Sequence, residues 1–339
     1  MKRKTRRILI ALLSLVFAGS LGMLIYRGMD YREGEEVYAE AETLVELPDL
    51  TDLPILVVEG TEPVPETPEV PETPEKPVYV DPYADALRNM DFTALREVNS
   101  DVLGWIMIPG TPISYPLLQG EDNQYYLKHT WKKWSSAVGA IFLECQNSPD
   151  LSDFNTIVYG HRMNNGSMFA SLKNYKKQSY WAAHPCVYIT DDNGSHKYEI
   201  FAAYEVSTTG TTYQLGFPKD SSKQAFIDYC LAQSVIDTGI TPTVYDRVLT
   251  LSTCTGNGHA TRWVVQAVLK GVAPSDAAQE APAEPEEQPE TEPASAPDQL
   301  PETEPVQSEE AAVPEAETAG ETPVEPTQED SGNAEQSPA

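Results

Sequence analysis

The chain has 339 residues and a formal net charge of −29, with 52 acidic against 23 basic side chains. With no basic stripe beyond the first few residues, this balance excludes a nucleic-acid-binding surface. The charge is unevenly spread: residues 81–272 are nearly neutral, with 15 basic and 18 acidic side chains, whereas residues 273–339 carry 19 acidic side chains and no basic one. That pattern reads as one folded domain between solvated acidic arms.

In chain order, Lys2, Arg3, Lys4, Arg6 and Arg7 precede an uncharged apolar run over residues 8–26. A run of about 20 such residues spans a bilayer. Flanking basic residues stay in the cytoplasm, which predicts residues 1–7 inside, a single-pass anchor over 8–26, and the rest of the chain outside the cell at its membrane. A cleaved signal peptide is the rival reading; the apolar run continues past the small residues Ala18, Gly19 and Ser20, which favours a retained anchor. Residues 27–80 read as an acidic, Pro-rich linker, because the Pro-Glu-Thr-Val repeats of 62–77 resist both helix and sheet. Residues 273–339 have the same composition and no aromatic residue, which predicts a disordered acidic tail.

The folded block, 81–272, opens on a helical pattern over 84–98. Short β-branched or aromatic runs follow at 105–108, 140–143, 156–159, 187–190, 198–206, 248–253 and 263–269, divided by Gly, Pro, Asn or Asp. Helices are expected over 168–175, capped by Ser167, and over 222–234. The fold class is therefore mainly β with helical insertions, a closed or nearly closed barrel. The four cysteines, Cys145, Cys186, Cys230 and Cys254, allow up to two disulfides, though a domain of this size needs none.

The chemistry concentrates at one strand end. Side chains alternate across a strand, so Leu249 and Leu251 share one face, and Thr250, Ser252 and Cys254 the other. An inert cysteine sits among apolar neighbours; Cys254 lies on the polar face, before the short polar loop 255–261. On the returning strand, Arg262 begins the face opposite Trp263, Val265 and Ala267, so a hairpin would set Arg262 and Cys254 at its mouth. A guanidinium cannot lose its proton and suits a developing oxyanion. A thiolate also needs a base or a cationic neighbour. His161 ends the apolar strand that leads to Gly160, and His259, in the loop after Cys254, competes with it; His129, His184 and His196 read as surface residues. No Cys or His pairs stand at metal-ligand spacing, so neither a metal nor another cofactor is expected. Cys230 reads as core, beside Phe226 and Tyr229.

These residues resemble the sortase family, class B. The resemblance rests on Leu251-Ser252-Thr253-Cys254 followed by Arg262, on the stretch from Tyr159-Gly160-His161 to Phe169, and on the segments 101–110, 115–119 and 122–127; it covers about residues 84–271. It implies an eight-stranded sortase barrel with an N-terminal helix, an inserted helix before the cysteine strand, and a catalytic set of Cys254, His161 and Arg262. It further implies cleavage of surface proteins at a C-terminal sorting signal through a thioacyl-enzyme, and transfer to an amine of a peptidoglycan precursor or a pilin. In the family few active sites hold the Cys–His pair charged at neutral pH, and the same is expected here. Asn123, Leu127, Ser252 and Thr253 fall in matching segments and are expected along the substrate groove. The acidic tail and the short 255–261 loop depart from the family pattern. Two other readings use the same features: a surface cysteine hydrolase, and an anchored scaffold with a silent barrel.

Overall fold

The computed structural model describes residues 3–50, 53, 81–256 and 258–280. Its first element is one helix, α1 (Arg3–Leu44), whose segment Arg3–Tyr26 is long and apolar enough to cross a membrane. The helix does not stop where the apolar run ends. Val37, Tyr38 and Ala41 lie three, four and seven residues after Gly34, and all four are buried against the domain on one face, as an amphipathic helix requires. The expected linker therefore begins late: residues 27–44 are helical, their apolar stripe hidden in the sequence by Glu33, Glu35, Glu36, Glu40 and Glu42 around it. The Pro-Glu-Thr-Val repeats lie outside the described residues.

The predicted helix over 84–98 is two helices, α2 (Pro82–Leu87) and α3 (Thr93–Val98). Asp81 caps α2, its Oδ1 accepting the Tyr83 and Ala84 amides, with Pro82 in the first turn. Asp91 ends the intervening break by accepting the Thr93 amide at 2.8 Å.

Eight strands then close a barrel: β1 (Val102–Met107), β2 (Ser114–Leu118), β3 (Ile141–Leu143), β4 (Asn155–Tyr159), β5 (Cys186–Asp191), β6 (Gly194–Ser207), β7 (Val248–Gly256) and β8 (Gly258–Pro274). The order around the barrel is β1-β2-β3-β4-β7-β8-β6-β5, with β2–β3 and β4–β7 parallel and the other pairs antiparallel. Ile106, Leu117, Ile141, Val158, Ile189, Leu249, Leu251 and Val265 fill the interior. The sequence pattern missed β2 because Pro116 sits inside it, and proline counts against a strand. The expected 168–175 helix is a 3-10 stretch, Phe169–Lys176, begun by Met168 at φ 56° without a side-chain cap, and α4 (Gln178–Ala183) follows it.

The inserted helix, α5 (Asp220–Gln233), packs Phe226 and Cys230 on the barrel's outer wall against Tyr204, Val248, Val264 and Val268. Beside it a buried polar chain crosses four strands. Thr250 Oγ1 donates to Asn155 Oδ1 at 2.7 Å, Gln266 Nε2 donates to Thr250 Oγ1 at 3.1 Å, and the Tyr204 hydroxyl donates to Gln266 Oε1 at 3.0 Å. The predicted tail also begins later than residue 273. Strand β8 pairs with β6 as far as Pro274, and α6 (Asp276–Glu280) is tied back to Arg88 and Asn89 through Asp276. Residues 281–339 lie outside the described residues. All four cysteines are free thiols.

Candidate active site

Strand β7 is the centre of the site because each of its edges carries one partner for Cys254. On the antiparallel side Cys254 stands directly opposite Arg262 of β8. On the parallel side Tyr159 of β4 stands opposite Ser252, and the Gly160 amide donates to the Ser252 carbonyl at 3.1 Å. Two residues further on, the same register sets His161 beside Cys254. The three side chains thus come from adjoining chain segments and point the same way from the barrel wall.

Gly160 is required by packing. A Cβ there would lie 2.6 Å from Phe169 Cδ2, closer than real contacts allow. The His161 ring is gripped by its Nε2, 2.7 Å from the Leu127 carbonyl. A carbonyl only accepts, so Nε2 carries a proton, and the other nitrogen, Nδ1, is left for the thiol. A hydrogen bond between Cys254 and His161 is the largest influence on both groups. It lowers the Cys254 thiol below its ordinary value against the opposing effect of burial, helped by the charges of Arg262 and Arg162. It raises His161, against burial and the Arg262 charge. Both shifts run toward the thiolate–imidazolium pair.

Sequence reasoning passed over Arg162. Its Nη1 donates to the Thr255 carbonyl, next to the nucleophile position. Of the other histidines, His129 stacks on Tyr125 with ring centroids 4.0 Å apart and His184 bonds the Pro109 carbonyl. His196 is not a surface residue: it is buried against Asp191 at 3.2 Å. The side chain of His259 lies outside the described residues.

A solvent-open groove of about 650 Å3 meets this set at Arg262, and Leu127, Tyr159, Tyr213, Asn123 and Ser252 are on its other walls. Asn123 is held at both ends of its amide, donating to Glu144 at 2.6 Å and accepting the Cys145 amide at 2.9 Å. Ser252 exchanges a hydrogen bond with the Tyr213 hydroxyl at 2.9 Å. Thr253 is not on the groove. Strand alternation turns it to the face of Leu249 and Leu251, where it is 2 % exposed and its hydroxyl finds no partner among the described residues. Tyr213 belongs to the connection between β6 and α5, where no sequence pattern marks it.

A family model for the sortase domain matches residues 106–270. Over 163 residues the chain is 35 % identical to sortase B of Staphylococcus aureus, an overlap of 48 % of this chain and 67 % of that protein. The chain belongs to the sortase family. It is 38 % identical over 160 residues to sortase B of Listeria monocytogenes, covering 47 % of this chain and 65 % of that one, so it spans about two thirds of the length of these curated relatives. Among solved structures, a Staphylococcus aureus sortase B–substrate complex matches with 34 % identity and a TM-score of 0.51, over 54 % of this chain and 85 % of that one. Sortase B from B. anthracis in complex with AAEK1 matches with 31 % identity and a TM-score of 0.54, over 71 % of this chain and 98 % of that one. The closed mixed barrel with peripheral helices is thus the sortase B architecture.

Proposed function

We propose that this sortase is a membrane-anchored cysteine transpeptidase in which Cys254 is the nucleophile, His161 the acid and base, and Arg262 the oxyanion donor. The observation that carries this reading is the placement of Cys254 between His161 and Arg262 at one end of three adjoining segments, beside an open groove.

The Cys254 thiolate attacks the carbonyl carbon of the scissile peptide bond, and negative charge gathers on the carbonyl oxygen. Arg262 stabilises that charge with fixed donors that cannot deprotonate. His161, protonated at Nδ1, gives its proton to the leaving nitrogen, the C–N bond breaks, and an S-acyl enzyme remains. An incoming amine attacks the thioester, neutral His161 takes its proton, and the thiolate leaves. The acyl donor in this reading is the sorting signal of a surface protein, and the acceptor is an amine of a peptidoglycan precursor or a pilin. Residues 8–26 hold the enzyme in the membrane as a single span, with the basic N-terminus in the cytoplasm and the barrel outside.

The test uses the full chain in nanodiscs, a panel of sorting-signal peptides, and an amine acceptor added or withheld. Intact mass follows Cys254. A thioacyl adduct that amine resolves into a ligated product is expected. An adduct resolved by water alone, with amine neither incorporated nor accelerating turnover, would make the enzyme a hydrolase. Full activity in Cys254→Ala would sink the assignment.

A further inference from the structure

We infer that the juxtamembrane half of α1 belongs to the catalytic apparatus, with Tyr38 as a positioning residue that holds His161 in place through the Gly139 carbonyl. The inference rests on the assignment of His161 as acid and base.

His161 is held by two chain segments, and the same face of α1 touches both. The first runs from Leu127, whose carbonyl grips Nε2, to Gly139, where the ring leaves no room for a side chain. Gly139 has φ +63°, and a Cβ on it would lie 2.8 Å from His161 Cδ2 and 2.7 Å from the Tyr126 carbonyl. The position therefore admits only glycine, and any movement of Gly139 is felt by the ring. The buried Tyr38 hydroxyl donates to the Gly139 carbonyl at 2.6 Å. Around it Trp131 Nε1 donates to the Val37 carbonyl at 2.8 Å, Lys132 pairs with Glu40, and Val138 fits against Gly34.

The second segment is the loop that follows His161. Asn165 Nδ2 donates to Glu35 Oε1 at 2.9 Å. Tyr115, whose ring meets Tyr38 edge-on at 5.3 Å, accepts the Met168 amide at 2.8 Å, and the neighbouring Phe169 amide donates to the His161 carbonyl at 2.9 Å. One helical face thus fixes the ring from one side and the backbone from the other. The consequence is kinetic: a catalytic group misplaced by about 1 Å can lose about 100-fold in rate.

The experiment compares the full chain in nanodiscs with two variants. Tyr38→Phe deletes one hydroxyl and keeps the ring. Gly34→Leu deletes no hydrogen-bonding group but wedges the helix from Val138 and so from Gly139, since a Cβ there would lie 2.7 Å from Val138 Cγ2. Neither changes a charge, because burial holds the Tyr38 phenol protonated. The charged groups acting on the Cys254–His161 pair, Arg262 and Arg162, are both outside α1. Readouts are single-turnover acylation, KM, and the pH midpoint of Cys254 alkylation, all below the melting temperature. The expected result is a loss of acylation rate of about 10- to 100-fold with KM unchanged, and an alkylation midpoint moved to higher pH as His161 drifts from the thiol. Glu33→Gln, on the exposed side of α1, leaves all three as in the parent. A lower melting temperature with unchanged rate and midpoint would make the contact merely structural and overturn the inference. If both variants unfold, Glu35→Ala, at an exposed hydrogen bond, decides by the same readouts. Failure of the parent chain to form a Cys254 thioester would instead overturn the catalytic assignment.

Discussion

Arg262 offers the sharpest test of the proposed chemistry. Directly opposed residues on antiparallel strands have Cβ atoms about 5 Å apart. A full charge on Arg262 at about that distance from the oxyanion, at an effective dielectric of about 20, contributes about 3 kcal/mol, and partial exposure of the site reduces this to about 2. Mutational loss of one oxyanion donor costs about 10²- to 10³-fold in kcat. Arg262→Gln should therefore slow acylation by about 100-fold while leaving the fold intact, since the Arg262 side chain is only partly buried and lies on the groove wall. Arg262→Lys keeps the charge and loses the planar fork, so it should fall between the two, at about 10-fold. Rapid-quench measurement of the thioester by intact mass, at saturating peptide, isolates this step from amine attack. An Arg262→Gln enzyme that acylates within threefold of the parent would show that the charge opposite Cys254 does not act on the transition state.

Three further outcomes follow from the same geometry. His161 is the largest influence lowering Cys254, so His161→Ala should raise the thiol's pKa and shift the pH profile of iodoacetamide alkylation upward; an unmoved or lower midpoint contradicts the hydrogen-bonded pair. Burial pushes Cys186 up to about 12 and Cys230 up to about 11, so both are protonated at neutral pH, and native alkylation should tag Cys254 well before either, with all four reacting only in denaturant. Gln266→Ala removes one buried hydrogen bond from each of Thr250 and Tyr204, which keep Asn155 and Thr212 respectively, and should cost about 1–3 kcal/mol in chemical denaturation.

What the sequence made legible was alternation. Leu249 and Leu251 against Ser252 and Cys254, and Trp263 and Val265 against Arg262, are period-two patterns, and the pairing of Cys254 with Arg262 follows once the two strands form a hairpin. The same rule turns Thr253 away from the groove, since it alternates with Cys254, although its segment resembles the family's. Where the competing signal was stronger, the reading failed. Pro116 hid β2, and five glutamates hid the apolar stripe of Gly34, Val37, Tyr38 and Ala41. Tyr213, in an irregular connection, and the Leu127 carbonyl, a backbone group, leave no trace in a residue pattern at all.

The site's precision is then a matter of register, and register is decided away from the site. A one-residue slip of β7 would turn Cys254 inward and bring Thr253 out. Two independent devices oppose it. Leu249 and Leu251 would leave the interior, losing about 2 kcal/mol or more of burial each. On the outer wall, the chain from Asn155 through Thr250 and Gln266 to Tyr204 is satisfied in one register only, and it ties together β4, β7, β8 and β6. Three of those strands are the ones that lead to His161, Cys254 and Arg262. The buried polar chain, four residues below the thiol, therefore does for the catalytic set what no residue within the groove can do: it fixes which three side chains stand abreast.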